Sequence, residues 1–208
     1  MAQRRNTRTE ASLKQAFITL TRAKGFDATT VSDLAHEAHI NRGTFYTHYT
    51  DKFDLRQQLI ANAVGDLNDI VLRSRRPSDR EFMPHEAILG ALRYIRQDFD
   101  FFDAISQSGS DMQLYTKVKD LLADLLIIET EKSGIRLETD GVPVMYGKEM
   151  MASALTSAIW MWLRRGCVES PEDMAMLIER AKRIAAVRPL AVAQAQRQAR
   201  RWGGANSR

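Results

Sequence analysis

The chain has 208 residues, enough for one large domain or two small ones with real cores. Hydrophobic residues make up 44% and charged residues 27%, as in a globular protein, and the lone cysteine, Cys167, excludes an intrachain disulfide and fits a reducing, cytoplasmic setting. The net charge of +4 is unevenly spread: residues 1–56 carry +3, residues 57–179 carry −7 and residues 180–208 carry +8, so contact with a polyanion belongs to the ends.

Few glycines and prolines (11 and 5) and no strand-like alternation predict an all-α fold. A first helix is expected over Thr9–Lys24, with Leu13, Ala16, Phe17 and Leu20 on one face and Gly25 as its stop. A second helix, Val31–Ala38, starts from Thr30 as N-cap, with Asp33 completing a shortened capping box. A third starts after Asn41, another good N-cap, and ends near Tyr49. Thr50 and Asp51 open a fourth, which reaches Arg73 before the polar stretch RSRRPSDREFMP. Helical patterns follow at 85–106, 110–133, 143–165 and 171–188, the last opened by Ser170-Pro171-Glu172-Asp173. The longest apolar tract, Ala152–Leu163, is interrupted by Ser153, Thr156 and Ser157 and falls short of the ~20 residues a membrane helix needs. The opening MAQRRNTRTEASLKQ lacks the apolar core of a secretory signal, so no membrane association is expected.

The second and third helices with their tight turn form a helix-turn-helix unit, in which one helix braces and the next lies in the major groove of double-stranded DNA. Phe45 and Tyr49, four residues apart, share the inward face of the third helix. Arg42, Gly43, Thr44 and Thr47 then face the bases: arginine donates twice to guanine, and threonine meets a thymine methyl or a base acceptor. Tyr46 and His48 reach phosphates, and Thr30 and Asn41 at the helix starts complete the DNA-contacting set. Lys52 sits in the first turn of the fourth helix, where the helix dipole disfavours a cation. It is either a phosphate anchor or an exposed lysine pointing away, and its closeness to the third helix favours the anchor. Arg4, Arg5 and Arg8 ahead of the first helix either lie along the DNA or are solvated, as are Arg197, Arg200 and Arg201 in the tail.

The run TTVSDLAHEAHINRGTFYTHYTDKFDL resembles the DNA-binding signature of TetR-type bacterial transcriptional regulators: Thr-Val-x-x-Leu-Ala-x-x-Ala, then Arg-Gly-Thr-Phe-Tyr-x-His-Tyr, then Lys-x-x-Leu. The resemblance covers Thr9 to about Leu59. It implies a homodimer that reads a roughly palindromic operator, most often as a repressor, and a C-terminal half that dimerises and often binds a small effector. His39 departs from the family, which usually has glycine at this turn position; a left-handed backbone there costs histidine more than glycine. The expected organisation is a DNA-binding domain at 1–55, a dimerisation and effector domain at 56–190 and a basic tail at 191–208.

The second half resembles, more loosely, a subset of these regulators that includes one controlling dihydroxyacetone kinase genes. Tyr94, Phe99, Phe102, Trp160 and Met161 are the candidate effector-lining residues, although such a cluster at helical spacing is also what a core looks like. Asp98, Asp100 and Asp103 beside them suit a cationic ligand or a solvated face. Ala154, Ser157, Ala158 and Met161 on one helix, with Met174, Leu177 and Ile178 on the next, are the candidate dimer interface. The alternative function is a DNA-bound protein that needs no ligand and recruits a protein partner through its C-terminal half. No enzyme, metal or cofactor is expected: there is no phosphate-binding glycine loop and no nucleophile–base pair, and His36 and His39 are three apart without a third ligand.

Overall fold

The computed structural model describes residues 2–74, 84–108, 111–133 and 143–181. The described residues form helices only: α1 (Ala2–Lys24), α2 (Val31–Glu37), α3 (Arg42–Tyr46), α4 (Lys52–Arg73), α5 (His85–Gln97), α6 (Phe99–Gln107), α7 (Asp111–Ser133), α8 (Val144–Arg164) and α9, which starts at 171 and is described to 181. The expected all-α class is what is observed. None of these helices is long and apolar enough to cross a membrane.

The first three helices close on a small core in which Leu13, Phe17, Leu34 and Phe45 are fully buried and Phe26 and Tyr49 nearly so. Each large side chain so buried contributes roughly 1.5–3 kcal/mol. Gly25 adopts φ 81 and its N–H reaches the Thr21 carbonyl, which ends α1 where the sequence places the stop. At its other end α1 is seven residues longer than expected, through a stretch with no proline or glycine to interrupt it.

The division expected at residue 55 falls inside α4, a single helix that belongs to both halves. Its Leu55, Leu59, Leu67 and Val71 are all buried in one continuous core that also takes in Leu13, Phe17 and Phe45 of the first three helices and Leu92 and Phe102 of the later ones. Gly90 lets α5 approach α4 closely, since a Cβ there would lie 3.0 Å from the Ile70 methyl. The helix expected over 85–106 is instead two. It breaks at Asp98, whose carboxylate pairs with Lys14 of α1 and whose carbonyl accepts from Phe101 and Phe102 to start α6. An aspartate that can bond outside the helix is a natural breaking point.

α6 lies against α1. Besides Lys14–Asp98, Arg22 pairs with Asp100 at 2.6 Å and approaches Asp103 at 4.0 Å, and Lys14 sits 4.4 Å from the centre of the Phe101 ring. Asp98, Asp100 and Asp103 therefore serve α1, which corrects their reading as a cationic-ligand site or a merely solvated face. At the far side α8 ends in a Schellman turn, with Gly166 at φ 79 and Cys167 at φ 50. Arg96 of α5 donates to both carbonyls of that turn, and Arg93 grips Glu172 at the start of α9 at 2.8 Å. The basic tail, with Arg197, Arg200 and Arg201, lies outside the described residues, as do the side chains of Arg4 and Arg5.

Candidate nucleic-acid interface

Two local bonding patterns position α3. At the start of α2, the Thr30 hydroxyl accepts from the Asp33 N–H at 3.1 Å, while the Asp33 carboxylate accepts from the Thr30 N–H and hydroxyl, both at 2.7 Å. Lys24 adds an ion pair to Asp33 at 2.8 Å, tying the end of α1 to this cap. Lys24 first, then Thr30, hold the Asp33 carboxyl well below the usual range. Thr30 is exposed, but its hydroxyl and its N–H are both used by the capping box, so its part in the motif is to start α2.

At the end of α2, Ile40 N–H reaches Ala35 O at 2.9 Å and His39 N–H reaches His36 O at 3.0 Å, the two bonds of a Schellman turn. The residue at its left-handed position is His39, at φ 55. A side chain there costs about 1–2 kcal/mol, part of which glycine would give back as unfolded-state entropy. We therefore expect His39→Gly to raise folding stability by about 0.5–1 kcal/mol, visible as a Tm a few degrees higher. A lower Tm would mean that the imidazole supplies a contact that outweighs the strain.

α3 is only five residues long, shorter than expected. Thr47 caps it, and His48 and Tyr49 N–H both return to the Phe45 carbonyl. Its inner side is as the spacing implies: Phe45 is 0% exposed, Tyr49 is 5% exposed, and their rings are 5.6 Å apart. Burial, helped by Glu10 and Asp54, pushes the Tyr49 phenol up to about 12, so it stays protonated as a packing group. On the outer side Asn41, Arg42, Gly43, Tyr46 and Thr47 are exposed, with Thr44 and His48 half-buried. The Asn41 side chain accepts from the Thr44 N–H at 2.7 Å and hydroxyl at 3.0 Å, so it too is a cap. A Cβ on Gly43 would sit 3.3 Å from that Asn41 oxygen, so glycine protects the cap here as well as leaving the surface open. The Arg42 guanidinium lies beside Tyr46, 5.9 Å from its ring centre, with Nη2 3.5 Å from the phenol oxygen. His48 stacks at a tilt on Tyr49, 6.2 Å away.

Lys52 is placed otherwise than a phosphate anchor. Its ammonium donates to the carbonyls of Phe26 at 3.1 Å, Asp27 at 2.9 Å and Thr29 at 2.9 Å, using all three of its protons, and lies 4.8 Å from the Phe26 ring. The dipole penalty at the start of α4 is thus offset by the α1–α2 loop, not by DNA. Sequence reasoning missed Arg56, one turn on. It covers the Phe26 ring at 4.1 Å and donates from Nη1 to Ser108 O at the end of α6 at 2.9 Å. Desolvation pulls its guanidinium below the ordinary value. The local signal was an arginine one turn from Lys52 beside the aromatic Phe53; its partner Ser108 is 52 residues away.

The C-terminal candidates divide. Tyr94 and Phe102 meet edge to face at 5.8 Å, and the Tyr94 hydroxyl donates to Asp66 of α4 at 2.9 Å. Phe99 is half-buried against the core. Trp160 packs on Tyr115 of α7 at 6.0 Å and borders the core, whereas Met161 is 60% exposed on α8 and stands outside it. Of the interface candidates, Ala154, Ser157, Met161 and Leu177 are exposed and Ala158 is half-buried. Met174 and Ile178 are buried and are corrected to core: one turn apart, they face inward with Ala175 and leave Met176 and Leu177 outside.

Residues 16–59 match the model for "Bacterial regulatory proteins, tetR family", and residues 83–182 match that for "Transcriptional regulator C-terminal region". An uncharacterized helix-turn-helix-type transcriptional regulator of Bacillus subtilis, YxbF, is 30% identical over 90 residues. That match covers 43% of this chain, and the chain covers about a quarter (24%) of that relative's length. Among solved structures, the dihydroxyacetone kinase operon activator DhaS superposes with a TM-score of 0.60 at 19% identity, over 83% of this chain and 93% of its own. The regulator FadR of Bacillus subtilis, solved in complex with stearoyl-CoA, superposes with a TM-score of 0.62 at 12% identity, over 81% and 94%. At these identities the structures establish a shared fold.

Proposed function

The chain belongs to the TetR family of DNA-binding bacterial transcriptional regulators, and from that premise we propose that it is a homodimeric repressor, released from its operator by a small molecule. Two copies of α3 would enter successive major grooves, with half-sites about 34–36 Å apart. The observation that carries this reading is the two-sided α3: Phe45 and Tyr49 lock it to the core, while Arg42, Gly43, Tyr46 and Thr47 are exposed on the other side with Thr44 and His48 at the margin. Arg42, Thr44 and Thr47 are assigned to base edges, and Tyr46 and His48 to phosphates.

Release would be mechanical. A ligand among α5, α6 and α7 would displace α6, and α6 is tied to α1 through Lys14 and Arg22 and to α4 through Arg56. Each exposed ion pair is worth ~1 kcal/mol or less, but together with the packing of Phe101 they oblige α1 and α4 to follow. A small rotation of α4 then spoils simultaneous fit to both half-sites. Tyr94 and Phe102, beside Asp66 of α4, are the side chains closest to such a site among those expected.

Arg42→Ala tests the assignment. It is expected to weaken binding to the operator by about 1–3 kcal/mol and to relax discrimination at one base pair, with affinity for unrelated duplex little changed. Footprinting and titration on the DNA flanking its own gene provide the measurement. Wild-type affinity and selectivity in the variant would remove α3 from the groove.

A further inference from the structure

The geometry points to thymine C5-methyl groups as what Thr44 and Thr47 read in the operator, a finer statement that rests on the DNA-binding reading above. Both hydroxyl protons are already committed. Thr44 Oγ1 donates to the Asn41 side-chain oxygen at 3.0 Å, and Thr47 Oγ1 donates to the Thr44 carbonyl at 2.7 Å. A hydroxyl has one proton to give. The major-groove acceptors, guanine O6 and N7, adenine N7 and thymine O4, all require a donor, and neither threonine has one left. Each Cβ carries only two heavy branches. With oxygen drawn back onto the helix, the other branch is the methyl group. Thr47 is exposed on the same turn as Tyr46, and Thr44 borders Gly43, where no side chain stands in the way. Donation to guanine is left to Arg42, whose guanidinium is exposed and makes one long contact to Tyr46. The half-site is therefore read by two kinds of contact, guanidinium to guanine and methyl to methyl. The competing chemistry is acceptance by the threonine oxygens from cytosine N4 or adenine N6.

The test starts from duplexes that the full-length protein enriches from a randomised pool. Thr47→Val keeps a methyl and loses the hydroxyl; Thr47→Ser does the reverse. Thr47→Val is expected to bind the enriched duplex within about twofold of wild type, and Thr47→Ser about fourfold more weakly, the equivalent of one apolar carbon. Uracil in place of the contacted thymine should weaken wild type by a similar factor and leave Thr47→Ser unchanged. Equal affinity for an unrelated duplex confirms that each variant is folded. Wild-type affinity in the serine variant with loss in the valine variant would overturn the proposal in favour of the oxygen, and indifference of wild type to uracil at every thymine would overturn it outright. A pool with no enriched sequence would instead sink the DNA-binding reading itself, and this inference with it.

Discussion

Glutamate at both Met161 and Leu177 is expected to give a folded monomer that binds its operator about 100-fold or more weakly than wild type. Met161 is 60% and Leu177 49% exposed in the isolated subunit. Neither is packed in the subunit core, which on these helices is made by Trp162, Leu163, Met174 and Ile178. Met150, Ala154 and Ser157 continue the exposed side of α8 at the spacing of one helical face, and Met176 is exposed beside Leu177 in the α9 sequence. Met150 and Met161, exposed on one face of α8, and Met176 and Leu177, exposed on α9, are large apolar side chains that suit a surface covered by a second copy. In a twofold interface each residue lies near its own symmetry mate or its partner, so the two substitutions place four carboxylates in one apolar patch. Burying unpaired carboxylates costs several kcal/mol each, more than the patch gains by closing. Losing the dimer removes the second recognition helix, whose effective concentration is worth about 10²–10⁴ in affinity. Light scattering after gel filtration reads the mass, circular dichroism reads the helices, and titration reads the affinity. A dimer that survives both glutamates would place the interface elsewhere.

The parts that the sequence predicted well are those decided by neighbours in the chain. Thr30 with Asp33, Asn41 with Thr44, Asp51 with Phe53 and Asp54, and Gly25 with Thr21 all form bonds within about four residues, and the starts of α2, α3 and α4 and the stop of α1 were legible there. Phe45 and Tyr49 followed from spacing alone. Apart from the lengths of α1 and α3, the errors lie where the deciding partner is distant. The helix that periodicity would continue is broken at Asp98, whose carboxylate meets Lys14, 84 residues away. Met174 and Leu177 look alike in a helical pattern, and only packing against the rest of the subunit sends one inward and the other out. His39 is intermediate: its position was suspect from the sequence, and its φ of 55 bears the suspicion out in conformation.

Lys52→Met is expected to destabilise the fold by about 2–4 kcal/mol while leaving the salt dependence of DNA binding unchanged. The ammonium bridges three carbonyls of one loop, from Phe26, Asp27 and Thr29, and each charged hydrogen bond is worth about 1.5–3 kcal/mol net, less where water can replace it. Methionine keeps the length and apolar contact of the side chain with Phe26 and Phe53 but offers no proton, so the carbonyls lose a partner without a cavity opening. The α1–α2 loop then loosens at the point where it meets the start of α4, and Tm should fall by roughly 5–12 °C. A phosphate anchor would behave in the opposite way. Its removal would spare Tm and lower the slope of log affinity against log salt by about one counterion. Thermal unfolding of the free protein and a salt titration of the bound one are independent measurements, so the two roles separate cleanly: a flatter slope with an unchanged Tm would return Lys52 to the DNA surface.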